Sequence, residues 1–174
     1  MRNIREELLK LRDDAYRAFT SSMIPNIPPE RIAGVRTPIL RTFRRSMSEE
    51  AKSEFIRALP HYFLEENMLH MHIIGEIRDF EVTIDELEKF IPFIDNWAVC
   101  DAVSIKGAEE NSEALLLKLR EWAMGSYPYF QRIVCVILLK YFTKDKFSPE
   151  QVYLLDLMKI DDYYVRMGKA WYLS

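Results

Sequence analysis

Only 5 of the 174 residues are glycine and only 2 are cysteine, and these scarcities exclude several kinds of protein before any motif is read. So little glycine rules out collagen-like and glycine-rich low-complexity chains. Two cysteines cannot staple a chain of this length and match no metal-knuckle spacing, which points to a reducing compartment, the cytoplasm. No Walker loop, GxGxxG, HExxH or CxxC is present. Long uncharged runs are missing as well. The longest apolar stretch, residues 133–139, reaches about a third of the length that a bilayer crossing needs, and the heavily charged opening has no apolar centre of a secretory signal. A soluble protein without membrane contact is expected.

What the chain does have is apolar mass: 49% of its residues are hydrophobic and 29% charged, with a formal net charge of -3. That composition suits one ordinary folded domain, taken here as residues 1–174, and excludes overall disorder. The charge is unevenly spread. Residues 1–57 carry 12 basic and 8 acidic groups (+4), residues 58–115 carry 3 and 13 (-10), and residues 116–174 carry 9 and 6 (+3). Basic ends and an acidic middle can form a local anion-binding surface, but the excess is far below that of a protein held chiefly by phosphate charge.

Apolar residues recur at helical spacing almost throughout, and two-residue alternation never lasts. Ile4, Leu8, Leu11, Ala15 and Phe19 predict one amphipathic helix, ended by the proline-rich segment Pro25 to Pro29. Thr37-Pro38 reads as an N-cap with a first-turn proline, and Ser48 opens another helix. Further helices are predicted over 64–77, with Leu69, Ile73 and Ile77 inward, and from a Thr83/Glu86 capping box. The next bears Trp97, Cys100, Asp101 and Ser104, and four more cover 110–123, 127–142, 149–159 and 162–173. About nine or ten helices joined by short turns fit stacked antiparallel pairs better than a four-helix bundle. A stack should end in a polar cap; residues 169–174 supply none, so capping helices are expected to be missing from the C-terminal end.

The most informative local pair is Trp97 and Asp101. Four-residue spacing puts an indole and a carboxylate on one helical face, where they can present an aromatic wall and negative charge to a sugar carbon turning cationic. A half-buried core tryptophan beside a surface aspartate satisfies the same spacing. Cys100 and Cys135 read as core, and His70 and His72, two apart, point different ways and make a poor metal pair. Glu65 and Glu66 are adjacent, hence unsuited to a paired-carboxylate mechanism. The aromatics Tyr62, Phe63, Tyr127, Tyr129, Phe130, Tyr141 and Phe142 read as interhelical packing.

The stretch Gly34-Val35-Arg36-Thr37-Pro38-Ile39-Leu40-Arg41, the Trp97–Asp101 element, Arg132 within Tyr129 to Val134, and the closing segment Tyr164 to Trp171 together resemble the HEAT-like DNA alkylation repair family of bacterial glycosylases. The likeness extends from Gly34 to the final residue. It implies an all-α, HEAT-like α-solenoid gripping duplex DNA and hydrolysing the N-glycosidic bond of cationic alkylpurines such as 3-methyladenine and 7-methylguanine, with no metal or organic cofactor, no obligate protein partner and no deep pocket for an extruded base. Carried onto matching positions, Trp97 and Trp171 become aromatic walls, Asp101 the catalytic carboxylate and Arg132 a DNA-backbone anchor. Arg36, Arg41, Arg44, Arg45, Arg166 and Lys169 are expected to extend the phosphate-facing patch, and Lys140, Lys144 and Lys146 stand either there or on the outer face. The rival is a non-catalytic helical scaffold that binds DNA structures or a protein.

Overall fold

In the computed structural model, which describes residues 3–174, eleven α-helices follow one another with three short 3-10 turns and no strand among the described residues. They are α1 (Ile4–Lys10), α2 (Asp14–Met23), α3 (Thr37–Arg45), α4 (Glu49–Arg57), α5 (Leu64–Ile74) and α6 (Phe80–Phe90). After these come α7 (Trp97–Asp101), α8 (Ser112–Ala123), α9 (Pro128–Tyr141), α10 (Pro149–Leu157) and α11 (Tyr163–Leu173). The all-helical expectation holds. The extra helix arises where one was expected over Ile4 to Phe19. Asp13 interrupts it, because its carboxylate accepts the Tyr16 N–H at 2.9 Å and starts α2 afresh. Leu8 is buried as anticipated, but Leu11, Ala15 and Phe19 are exposed.

Two other starts also moved. Thr37 is already helical, with Arg36 in the cap position and Pro38 just inside. Asp79, rather than Thr83, caps α6: it accepts the Val82 N–H at 3.0 Å, and the Thr83 hydroxyl donates back to the Asp79 carbonyl at 2.8 Å. A carboxylate at a helix N-terminus also meets the positive end of the helix dipole, an advantage threonine lacks. Ser48 caps α4 as its sequence context predicts, and Asn96 and Ser148 stand at the N-cap positions of α7 and α10.

The odd-numbered helices from α3 onward form a continuous row, each packing on the next: α3 on α5, α5 on α7, α7 on α9, α9 on α11. The even-numbered helices back this row, α4 and α6 against α5, α8 against α9, and α10 against α8. This is a stacked-pair, solenoid-like architecture, in which each rung buries its apolar face only on its neighbours. Its core divides at α5. Leu69 and Ile73 face an N-terminal cluster with Leu8, Leu40, Phe43 and Phe55, whereas Leu64, Met71 and Ile74 face the larger cluster reaching α11. Helix α5 is therefore buried on every side. Ile77, expected inward, lies past its end and is only partly covered.

Close approach along the row depends on two glycines. A Cβ at Gly75 would stand 3.2 Å from the Ser104 Cβ, and one at Gly168 would stand 2.9 Å from the Cys135 Cβ. At Gly34, φ is +86° and a Cβ would meet Arg17 and the Asp13 carbonyl at 2.7 Å, so only glycine suits the junction with α2.

Candidate functional site

Helix α7 is only five residues long, and Asn96 starts it by accepting the Val99 N–H at 3.1 Å. This one turn places Trp97 and Asp101 on the wall of a cleft of about 840 Å³, between α2, α3, α5 and α7. The Trp97 indole N–H donates to the Met23 carbonyl at 3.3 Å, which fixes the ring against α2. Asp101 remains accessible, its side chain 26% exposed.

Behind Asp101 stands Arg132 of α9. Its Nη2 donates to both carboxylate oxygens at 2.8 and 2.9 Å, Nε donates at 3.2 Å, and Nη1 donates to the Tyr164 carbonyl at 2.8 Å. The arginine side chain is 1% exposed. The guanidinium expected to anchor the DNA backbone is thus engaged with the Asp101 carboxylate and the Tyr164 carbonyl. Trp171 of α11 covers it, with the guanidinium carbon 4.8 Å from the ring centroid and the indole 43% exposed. The order is thus cleft, Asp101, Arg132, Trp171. The two tryptophans flank one ion pair, but only Trp97 lines the cleft.

The remaining expected phosphate contacts separate. Arg41 and Arg44 line the cleft; Arg36 and Arg45 do not. Arg44 is tied to Glu76 at 2.6 Å and to the His72 carbonyl at 3.0 Å, while Arg41 is exposed and makes no hydrogen bond or ion pair among the described residues. Arg36 pairs with Asp13 at 2.9 Å and lies over the Tyr16 ring. Arg45 is exposed on the far side of α3 from the core. On α11, Arg166 pairs with Asp161, and Lys169 donates to the Met158 carbonyl at 2.8 Å.

Sequence reasoning left Lys140 between the phosphate-facing patch and the outer face, and it missed Lys106, Phe19, Met23 and His72 as cleft residues. Lys140 donates to the carbonyls of Asp101 and Val103 at 2.7 and 2.6 Å, and partial desolvation, offset in part by Asp101, draws its pKa below that of an ordinary lysine. Lys106 donates to the Glu76 carbonyl at 2.9 Å. Phe19 and Met23 of α2 form an exposed apolar rim. His72 at the cleft has its pKa pulled down to about 4 by burial first and then by Arg41, Arg44 and Lys140. None of these roles carries a local signal; the acceptors of Lys106 and Lys140, for example, lie 30 to 39 positions away. Glu65, set aside as a chemical group, is a clamp: its carboxylate accepts the N–H groups of Ala33, Gly34 and Val35 at 2.8, 2.7 and 3.2 Å, and burial still raises its pKa.

Charge in the cleft differs from charge in the whole chain. Arg41, Arg44, Lys106 and Lys140 stand against Glu65, Glu76 and Asp101, four cations to three carboxylates, although the protein as a whole carries -3. The acidic middle of the sequence is largely spent elsewhere, on α6 (Glu81, Asp85, Glu86, Glu88) and around α8 (Glu109, Glu110, Glu113).

Stacked helices thus display an oriented carboxylate beside an indole, on a cleft lined by four cationic and three acidic side chains. The family model described as DNA alkylation repair enzyme matches residues 4–174, and the chain belongs to that family. Searches of curated proteins and of solved structures gave no match.

Proposed function

We propose that the protein is a DNA glycosylase that releases cationic alkylpurines, 3-methyladenine and 7-methylguanine, from duplex DNA, and that it follows the HEAT-like branch of its family. The observation that carries this reading is the Asp101 carboxylate, partly exposed on the cleft wall next to Trp97 and held by Arg132 through both oxygens. An alkylpurine cation leaves readily: the bond from C1′ to the purine nitrogen breaks, its electron pair departs with a neutral base, and positive charge develops on the deoxyribose. A carboxylate fixed in advance stabilises that charge without reorganising, and it orients the water whose oxygen then bonds to C1′ and whose proton passes to the carboxylate or to solvent. Trp97 shields the carbon from bulk water and favours its cationic character.

Arg132 supports this chemistry by orientation. A bidentate guanidinium–carboxylate pair has one geometry, so the oxygens of Asp101 point where the pair allows. Arg41, a cleft cation with no hydrogen bond or ion pair among the described residues, would meet a phosphate, and Arg44, Lys106 and Lys140 add to the local potential. The partner is duplex DNA bearing the lesion, and the chemistry described requires no metal or organic cofactor.

The test is release of free base from duplexes containing 7-methylguanine or 3-methyladenine. Asp101→Asn should lower the single-turnover rate by about 10²–10³-fold. Wild-type release no faster than that of the variant removes the glycosylase reading for these lesions. Salt-dependent duplex binding without release would instead support the scaffold alternative.

A further inference from the structure

The geometry points to Lys140 as a positioning residue that sets the place of Asp101 by capping the C-terminal end of α7, rather than as a contact to DNA phosphate. This inference rests on the reading of Asp101 as the catalytic carboxylate. Helix α7 has a single turn, so its backbone hydrogen bonds alone fix it weakly. It is held instead by its surroundings. Asn96 closes the N-terminal end, Arg132 grips the side chain of Asp101, and Lys140 takes the main chain at the other end. The Lys140 ammonium bridges the Asp101 carbonyl at 2.7 Å and the Val103 carbonyl at 2.6 Å. These carbonyls flank the point where α7 stops and the chain turns toward Ser104.

A lysine at a helix C-terminus complements the negative end of the peptide dipoles, and its hydrogen bonds to carbonyls are charge-assisted. Two of its three donors are already engaged. That makes it a poor phosphate ligand in comparison with Arg41, which has no such partners among the described residues. Lys140 and Arg132 also come from the same helix, α9, so one rigid element controls both the main chain and the carboxylate of Asp101. A displacement of about 1 Å at a reacting group costs on the order of a hundredfold in rate.

The experiment compares the full-length protein with Lys140→Met, which keeps the aliphatic stem, and with Lys140→Arg. Three quantities are measured: the single-turnover rate of 7-methylguanine release, the affinity for lesion duplex across a salt series, and amide hydrogen exchange over residues 97–106. Positioning predicts a rate about tenfold to a hundredfold lower in Lys140→Met, duplex affinity and salt slope unchanged, faster exchange over 97–106, and partial recovery in Lys140→Arg. Weaker binding with a salt slope reduced by about one and an unchanged rate overturns the proposal and makes Lys140 a phosphate contact. If the wild-type protein releases no base, the glycosylase reading fails by itself. Exchange over 97–106 then decides Lys140: acceleration in Lys140→Met keeps its role as the anchor of α7, and unchanged exchange removes it.

Discussion

The inner row (α3, α5, α7, α9 and α11) and the helices behind it (α4, α6, α8 and α10) solve different physical problems. The backing helices are ordinary amphipathic elements: α6 buries Phe80, Ile84, Leu87 and Phe90 and turns Glu81, Val82 and Asp85 outward. The central inner helices α5 and α9 are largely enclosed, and they carry polar groups that need partners. Glu65, Glu66, Asn67, His70 and His72 are buried on α5, and Gln131 and Arg132 on α9. Buried polar groups cost free energy unless they are bonded, so those that find partners, such as Glu65 on the main chain of residues 33–35 and Arg132 on Asp101, commit the segments they join to a particular placement. The candidate site stands on the inner row, where Asp101 of α7 is held by Arg132 of α9 and that arginine in turn by the Tyr164 carbonyl of α11.

That contrast can be broken by experiment. The largest effect is expected at the ion pair between rungs. Arg132→Met leaves the Asp101 carboxylate without its partner and should lower the unfolding free energy by about 3 kcal/mol, read from urea denaturation, along with loss of base release. A loss no larger than that of a surface change would mean that the row is not held by its polar contacts.

Acid should act on the inner row next. Burial lowers the pKa of His61 to about 4, of His70 to about 3 and of His72 to about 4, from an ordinary value of 6.5. Since these values are depressed in the folded state, the unfolded chain binds more protons between about pH 3 and 6.5, and the stability present above pH 6.5 is lost as pH falls through that window. His72 alone accounts for about 3 kcal/mol. The melting temperature should drop steeply between pH 6.5 and 4, and His72→Gln should flatten the drop; an equally steep fall in the variant would assign the sensitivity elsewhere.

A smaller effect is expected at the contact of α9 with α11. Gly168→Ala puts a methyl 2.9 Å from the Cys135 Cβ, and relief by helix displacement should cost about 1–2 kcal/mol. It should also move Trp171 off Arg132, which tryptophan fluorescence would register. The smallest effect belongs to the backing layer. Leu117 of α8 is 66% exposed, and Leu117→Ser should change stability by less than about 0.5 kcal/mol. A larger loss there would mean that this face is covered in the functional state.

Helix content was readable because amphipathic period and capping residues are local. Ser48, Asn96 and Ser148 each mark a start, and Pro38 and Pro149 sit just inside theirs. Errors came where two local signals competed, as at Asp13 inside the first amphipathic stretch or Asp79 upstream of Thr83. Trp97 and Asp101 were legible as one face of one turn. Arg132 was legible only as a residue in a family pattern, and its burial among α7, α9 and α11 follows from packing alone. Lys140 was legible only as one of several lysines of undecided face; its contact to α7 had no signal, because its two acceptors are main-chain carbonyls 37 and 39 positions away.

The sequence by itself determined an all-helical chain, the order of its rungs and the family to which it belongs, because periodicity, capping chemistry and residue pattern are written along one dimension. Tertiary structure alone decided which of the cations face the cleft, which are neutralised, and that a buried arginine aims the carboxylate. Those outcomes depend on distances between helices, and a guanidinium or an ammonium takes its role from whatever acceptor packing brings within about 3 Å.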